Sequence, residues 1–407
     1  FGTYVPELGD GRAILLGQVV NERGARWDLH LKGAGPTPFS RRFDGRSVLR
    51  SAVREYLVGE ALHHLGVPTT RALCLVSSSE PVQRETTERA ASLVRVAPTH
   101  VRFGTFESFA WRREEALLRQ LADHVVGQHF PELAEADDRH ARLLEAAAVR
   151  TAVMVAGWQA TGFVHGVMNT DNFSILGITL DFGPYAFMEA YRPDYAPNHS
   201  DPWGRYAYGE QPAVAQWNVS ALANAMLPLV GRERAQAALD RFAPTYEAAY
   251  GRRMRAKLGL QREDPADGDL LDELLELLAA DGADWSVAWR ALGGITVEGA
   301  RDARGFAALF AARERCDAWL ASYRRRVSSE GVDDAARAAR MDRVNPRVVL
   351  RTHLAQRAVE AAERGEAGEL EALLAVLRKP YDEPADVERW ALPAPGGAGH
   401  VSLSCSS

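Results

Sequence analysis

His165-Gly166-Val167-Met168-Asn169-Thr170-Asp171-Asn172, then Phe173-Ser174-Ile175-Leu176-Gly177-Ile178-Thr179-Leu180, then Asp181-Phe182-Gly183, is the stretch from which the fold is read. Apolar Ile175, Leu176, Ile178 and Leu180 flank Gly177, the pattern of a short hairpin. Asn172 stands before that hairpin and Asp181 after it. Both offer hard oxygen donors, which suit Mg2+ or Mn2+, ions often held by one or two side chains together with substrate phosphates. Asp171 is the acid placed to accept a proton; its alternative role is a loop acid that caps a turn. His165 reads as a structural histidine that supports the loop, and Val167 as an inert core residue.

Toward the N-terminus, residues 13–32 read as a hairpin. Ile14 to Val20 is one strand, Arg26 to Lys32 the next, and Asn21-Glu22-Arg23-Gly24 the turn. Lys32 ends the second strand, and Gly33-Ala34-Gly35 follows. Ser47 to Leu65 reads as a helix with Ser47 as N-cap and Gly66 as its stop. The apolar stripe of this helix runs Val48, Ala52, Tyr56, Gly59, Leu62. Glu55 falls on or beside that stripe, and an acid there needs a partner. Strands over 71–76 and 91–96 follow. The order strand, strand with Lys, helix with Glu, strand, strand resembles the small lobe of a protein kinase. The later stretch resembles H-R-D-x-x-x-x-N followed by D-F-G. The overlay puts His165, Asn172 and Asp181 on their kinase counterparts and predicts a Lys32–Glu55 ion pair. The position of the kinase base falls on Val167, which cannot accept a proton.

The rest of the chain reads as mostly helical, with helices predicted over 113–128, 140–161, 213–230, 232–250, 269–280 and 347–377. The tail 380–407, rich in Pro, Gly and Ser, reads as extended. The predicted class is α+β, a kinase-like bilobal fold. Its β-rich lobe spans 1–108, a helical lobe with the catalytic and metal-binding loops spans 109–345, and C-terminal helices with a tail span 346–407. Of the 48 basic residues only Lys32, Lys257 and Lys379 are Lys. Lys257, in the basic run Arg252 to Lys257, and Lys379, in a turn, read as solvated. Lys32 reads as a compact charge for a phosphate oxygen. Net charge is −6 with no basic stripe, which argues against a nucleic-acid partner. No apolar run reaches the roughly 18 residues of a membrane span. Cys74, Cys316 and Cys405 form no disulfide framework, so a reducing, cytoplasmic compartment is expected, and the high Ala and Arg content fits a bacterial protein. Cys74, in an apolar run, reads as core. A monomer is expected.

Longer motifs carry a closer resemblance. Leu8 to Arg12, Leu31 to Pro38, Asp44-Gly45-Arg46, His63 to Leu73, Arg95 to Gly104, His165 to Gly183, Asn198 to Asp201, Gln211 to Val214 and Cys405-Ser406-Ser407 are similar to the selenoprotein O family of protein adenylyltransferases with a pseudokinase fold. The resemblance implies transfer of AMP from ATP to Ser, Thr or Tyr hydroxyls of proteins, with ATP inverted relative to kinases. It implies ATP contacts from Gly9, Gly11, Arg12, Lys32, Asp44, Gly45, Arg95, Arg102 and Asp181. It further implies Asp171 as proton acceptor, Asn172 and Asp181 as metal ligands, and Glu55 as the partner in a structural ion pair. Phe1-Gly2 falls inside the family's usual N-terminal region, so an incomplete small lobe is expected. Pro197 stands where bacterial members often carry Cys, which argues against a disulfide from that loop to Cys405. The competing readings are phosphotransfer and an ATP-binding scaffold without catalysis.

Overall fold

The computed structural model describes residues 11–40, 43–298, 301–394 and 403. The predicted hairpin forms as β1 (Ala13–Val20) and β2 (Arg26–Lys32), closed by the Asn21 carbonyl accepting from Gly24 N at 2.9 Å. A two-residue strand β3 (Ser47–Val48) leads into helix α1 (Leu49–His64), followed by β4 (Arg71–Gln83) and β5 (Thr87–Ala97). All pairings among these strands are antiparallel. One edge of β5 carries β2 and β3, and its other edge carries β4.

Several expectations need correction. Ser47 is not the N-cap, because it belongs to β3 and the helix starts one residue after Val48. Gly66 does stop α1, with φ of +74° and its N–H on the His63 carbonyl. The β4–β5 hairpin reaches Gln83, well past the predicted strand, through the polar run Ser77-Ser78-Ser79-Glu80. Cys74 is exposed, not core, because β4 is an edge strand that turns it outward.

The larger helical part begins with α2 (Phe103–Trp111), α3 (Glu115–His129) and α4 (Arg139–Thr161). Short strands β6 (Phe163–Val164) and β7 (Ala186–Phe187) pair around the 165–183 stretch. Next come α5 (Gln211–Val230), α6 (Arg232–Leu239), α7 (Phe242–Lys257), α8 (Asp267–Asp281) and α9 (Trp285–Leu292). The last are α10 (Arg313–Ser328), α11 (Asp334–Asp342), α12 (Thr352–Glu363), α13 (Gly368–Leu377) and the single turn α14 (Val387–Trp390). The predicted helices 232–250 and 347–377 are each broken in two. The predicted extended tail contains α14.

One apolar core joins α1 and β5 to α2–α5 and to α12–α13. A second joins the end of α7 to α8–α11. Because α12 and α13 also cover α1, that helix is buried well beyond one stripe: Leu49, Val53, Leu57 and Ala61 are buried along with Ala52 and Leu62. The buried Glu60 on α1 ties this arrangement together, accepting from Arg71 of β4 and from Arg378 just after α13. Lys257 is not solvated. It is 4% exposed, with its ammonium 4.9 Å from the ring centroid of Trp289 and 5.8 Å from that of Trp285. No described helix is long and apolar enough to cross a membrane.

Candidate active site

In the β2–β5 register His30 sits opposite Arg95, and Lys32 lies two residues on from His30. A period of two puts these three side chains on one face. Below that face lies α1 with Glu55. Lys32 Nζ donates to Glu55 Oε2, and Arg95 Nε donates to Glu55 Oε1. The opposite end of Arg95 meets Asp181 Oδ1 at 2.6 Å, and Arg102 Nη1 donates to Asp181 Oδ2. The result is a continuous chain of charge, Lys32–Glu55–Arg95–Asp181–Arg102. Lys32, Glu55 and Arg95 are each 2–4% exposed.

Burial of this chain sets its protonation. Burial opposes ionisation of Glu55, but Arg95 and Lys32 outweigh it and bring the carboxyl down to about 2. Burial pushes Lys32 down to about 8, with Arg95 and Arg12 pushing the same way and Glu55 opposing. Asp181 is held well below the carboxylate range, since Arg102, Arg95 and Lys32 overcome its burial. Arg12 is exposed, yet desolvation by the surrounding protein and the nearby Arg95 lower its pKa. Three cations against two carboxylates leave one positive charge, and Arg12 makes two. Such a surplus suits a polyphosphate.

Asp181 has φ of +60°, one of two non-glycine residues with left-handed backbone among those described. That conformation costs free energy, and the two guanidinium groups on its carboxylate hold it in place. The loop ahead of it is equally fixed. His165 is 1% exposed with Nε2 2.9 Å from the Leu180 carbonyl, which is the structural role expected of it. Thr170–Asn172 forms one 3-10 turn, and Arg102 Nη1 donates to the Asp171 carbonyl at 2.8 Å. Asn172 Nδ2 donates to the Val167 carbonyl at 3.0 Å, leaving Oδ1 as its oxygen donor. Asn172 Oδ1 and the Asp181 carboxylate could hold a divalent cation. Among the described residues no group of three or more His, Cys, Asp or Glu could do so. Two hard side-chain donors fit an ion completed by phosphate oxygens and water.

The structure thus brings Lys32, Glu55, Arg95, Arg102, Asp181 and the Asp171 backbone into one hydrogen-bonded unit. Among the described residues no hydrogen bond or ion pair joins Asp44 or Gly45 to it. They lie on the loop after β2, where Gly35 N donates to the Gly45 carbonyl at 3.3 Å. Gly11 joins the same loop, its carbonyl accepting from Ser40 Oγ at 2.9 Å. Gly9 lies outside the described residues, as does Cys405. Arg84, at the tip of the β4–β5 hairpin, escaped the sequence reading. It donates to Asp44 at 2.7 and 3.1 Å, and its charge reaches Arg12. Glu107 of α2 escaped it too. Burial raises its pKa and Asp171 adds to the rise, although a hydrogen bond with the Thr170 side chain opposes it. A third omission is Arg54, whose Nη2 donates to the Tyr185 carbonyl while Tyr185 OH donates back to the Arg54 carbonyl. No periodicity or motif marks these three contacts, because each partner is distant in sequence.

Comparison with known proteins bears directly on this site. The family model described as "Protein adenylyltransferase SelO" matches residues 1–378. "Protein nucleotidyltransferase YdiU" of Myxococcus xanthus is 50% identical over 407 residues, covering 100% of this chain and 83% of that protein. Its namesake in Thioalkalivibrio sulfidiphilus is 51% identical over 414 residues, covering 100% of this chain and 84% of the relative. The namesake in Azotobacter vinelandii is 48% identical over 414 residues, with 100% and 83% covered. A matched region of this length and identity, enclosing the whole charge chain and the 165–183 stretch, leaves one assignment: the chain belongs to the SelO (YdiU) family and is a nucleotidyltransferase.

Proposed function

We propose that the protein transfers AMP from ATP to Ser, Thr or Tyr hydroxyls of other proteins, in a cleft arranged like that of a protein kinase but with ATP inverted. One observation carries the reading. The acid of the 165–172 loop is Asp171, whereas Val167, at the position of the kinase base, offers only a carbonyl already bonded to Asn172. The positive surplus around Lys32, Arg95, Arg102 and Arg12 suits the β,γ end of ATP, which leaves the α-phosphorus toward Asp171.

In the reaction the acceptor oxygen attacks the α-phosphorus. Its proton passes to Asp171, the bond from the α-phosphorus to the α,β-bridging oxygen breaks, and pyrophosphate leaves with the electron pair. Lys32, Arg95, Arg102 and Arg12 stabilise the charge that grows on the leaving group. Arg84 orients Asp44, and through it the loop with Gly45, toward the nucleotide. A divalent ion, Mg2+ or Mn2+, held by Asn172 and Asp181 would neutralise phosphate charge. The three cysteines in 407 residues fit a reducing cytoplasm as the setting.

The test is paired labelling. With ATP labelled at the α-phosphorus the protein acceptor gains label, and with ATP labelled at the γ-phosphorus it gains none. The reverse result establishes phosphotransfer, and ATP binding with no transfer of either label establishes a scaffold. Asp171→Ala abolishes transfer and leaves ATP binding within about twofold, a change below 0.5 kcal/mol. Near-normal transfer removes Asp171 as the base.

A further inference from the structure

The turn 201–206 hangs from the loop that bears Asp171. Tyr206 OH donates to Asn169 Oδ1 at 2.7 Å, two residues before Asp171. The turn is rigid: Asp201, 6% exposed, accepts from Arg205 N at 3.0 Å and from Tyr206 N at 2.8 Å. The same segment is fixed at its start, where Asn198 Nδ2 donates to the Gly166 carbonyl at 3.2 Å. On this fixed frame Trp203 is 93% exposed, more than any other large apolar side chain described.

A fully exposed Trp on a rigid turn gains nothing for folding. Beside it stands Arg205, its guanidinium 5.7 Å from the Tyr206 ring centroid and 5.6 Å from that of Trp217 on α5. The rings orient this cation, and it has no carboxylate partner among the described residues. Preorganised Trp and Arg side chains are the types that dominate binding hot spots. An oriented cation without an acid calls for an acid from outside. The turn adjoins the acceptor side of the site, because the Tyr206 hydroxyl is bonded to Asn169, on the same loop as Asp171.

The geometry points to an acceptor-docking site: Trp203 packs on an apolar side chain and Arg205 pairs with an acidic one, both on an extended segment of the acceptor protein that flanks the modified hydroxyl. This rests on the reading that Asp171 faces a protein hydroxyl.

Two serine peptides test it, one with Leu and Asp beside the Ser and one with Leu and Lys. Transfer from α-labelled ATP is measured for the wild type, Trp203→Ala and Arg205→Glu, alongside ATP affinity. The wild type prefers the acidic peptide by about tenfold in kcat/KM, a typical worth for one oriented charge pair. Trp203→Ala raises KM for both peptides by roughly fivefold or more, and Arg205→Glu inverts the preference. ATP affinity stays at the wild-type value in both variants, which shows them folded. Wild-type transfer without an acid preference, or an Arg205→Glu variant that keeps it, overturns the docking site alone. Self-association of the wild type that Trp203→Ala abolishes also overturns it, assigning the surface to a second copy. Should the wild type transfer label to no peptide or protein, the AMP-transfer reading fails first and the docking site falls with it.

Discussion

Glu55→Gln is the substitution that strikes the charge chain at its centre. Glu55 accepts from both Lys32 and Arg95, and all three are almost fully buried. Removing one partner of a buried ion pair costs about 3–5 kcal/mol, because a charge stays buried without compensation. Here two escapes soften the loss. Arg95 keeps Asp181 at 2.6 Å, and Lys32 can shed its proton. Its pKa is already down at about 8 with Glu55 present, and without the carboxylate it falls further. The expected loss is therefore near the lower end, about 3 kcal/mol at pH 7. Linkage gives a matching figure. The fall of Glu55 from 4.5 to about 2 corresponds to about 3 kcal/mol, present above pH 4.5 and lost as pH falls toward 2. Urea unfolding at pH 7 and at stepwise lower pH should then show a wild-type advantage that shrinks below pH 4.5. ATP affinity carries the second readout. A neutral Lys32 forfeits a charge-assisted phosphate contact, so the Kd rises roughly 10- to 100-fold at pH 8. Lowering the pH reprotonates Lys32 and restores part of that affinity in the variant. A Glu55→Gln protein within about 1 kcal/mol of wild type, with an ATP affinity that does not recover on acidification, would refute the role given to this chain.

Gly45 and Lys257 supply further tests. A Cβ on Gly45 would lie 1.9 Å from the Gly35 carbonyl oxygen, on a backbone with φ of +62°. Gly45→Ala must open that loop, with a loss of at least about 2 kcal/mol in urea unfolding and weaker ATP binding in a titration; unchanged values refute the closed loop. Lys257 has no carboxylate partner among the described residues, and burial drops its pKa from 10.5 to about 7. The unfolded chain binds the extra proton between those values, so stability rises as pH climbs from 7 to 10.5, by at most about 5 kcal/mol. Lys257→Met raises Tm at pH 7 and flattens the Tm-against-pH curve in thermal scans, and an equally steep curve in the variant counts against the buried ammonium.

The 13–32 hairpin could be read from the sequence because strand alternation and an Asn-to-Gly turn are local signals. The stretch that holds Asn172 and Asp181 could be singled out because a short motif fixes their spacing. The clamp that Arg95 and Arg102 place on Asp181 could not. It depends on how β5 and the start of α2 meet a loop that follows Arg102 by 79 residues. Helix α1 shows the same limit. Periodicity located it and marked Glu55, but it predicted one buried stripe, because nothing local announces that α12 and α13 return to cover the other side. Cys74 failed in the opposite sense: Ala72 and Leu75 pack against the core, but Cys74 lies on the open face of an edge strand, with Leu73 and Val76 also exposed.

The scarcity of Lys was a sound cue attached to too few residues. Lys379 is exposed in its turn, as read, but Lys32 and Lys257 are both buried, in unlike surroundings. Lys32 is one end of a chain of opposite charges and keeps its proton through Glu55. Lys257 has only the faces of Trp285 and Trp289, and its pKa of about 7 lets much of the population discard the charge. A guanidinium cannot do that, since Arg remains charged at any ordinary pH. In a chain that otherwise uses Arg for nearly every cation, Lys257 therefore stands where a base must be able to become neutral. Its basic flanks hid this, because Arg252 points to solvent while the last turn of the same helix runs into the second core.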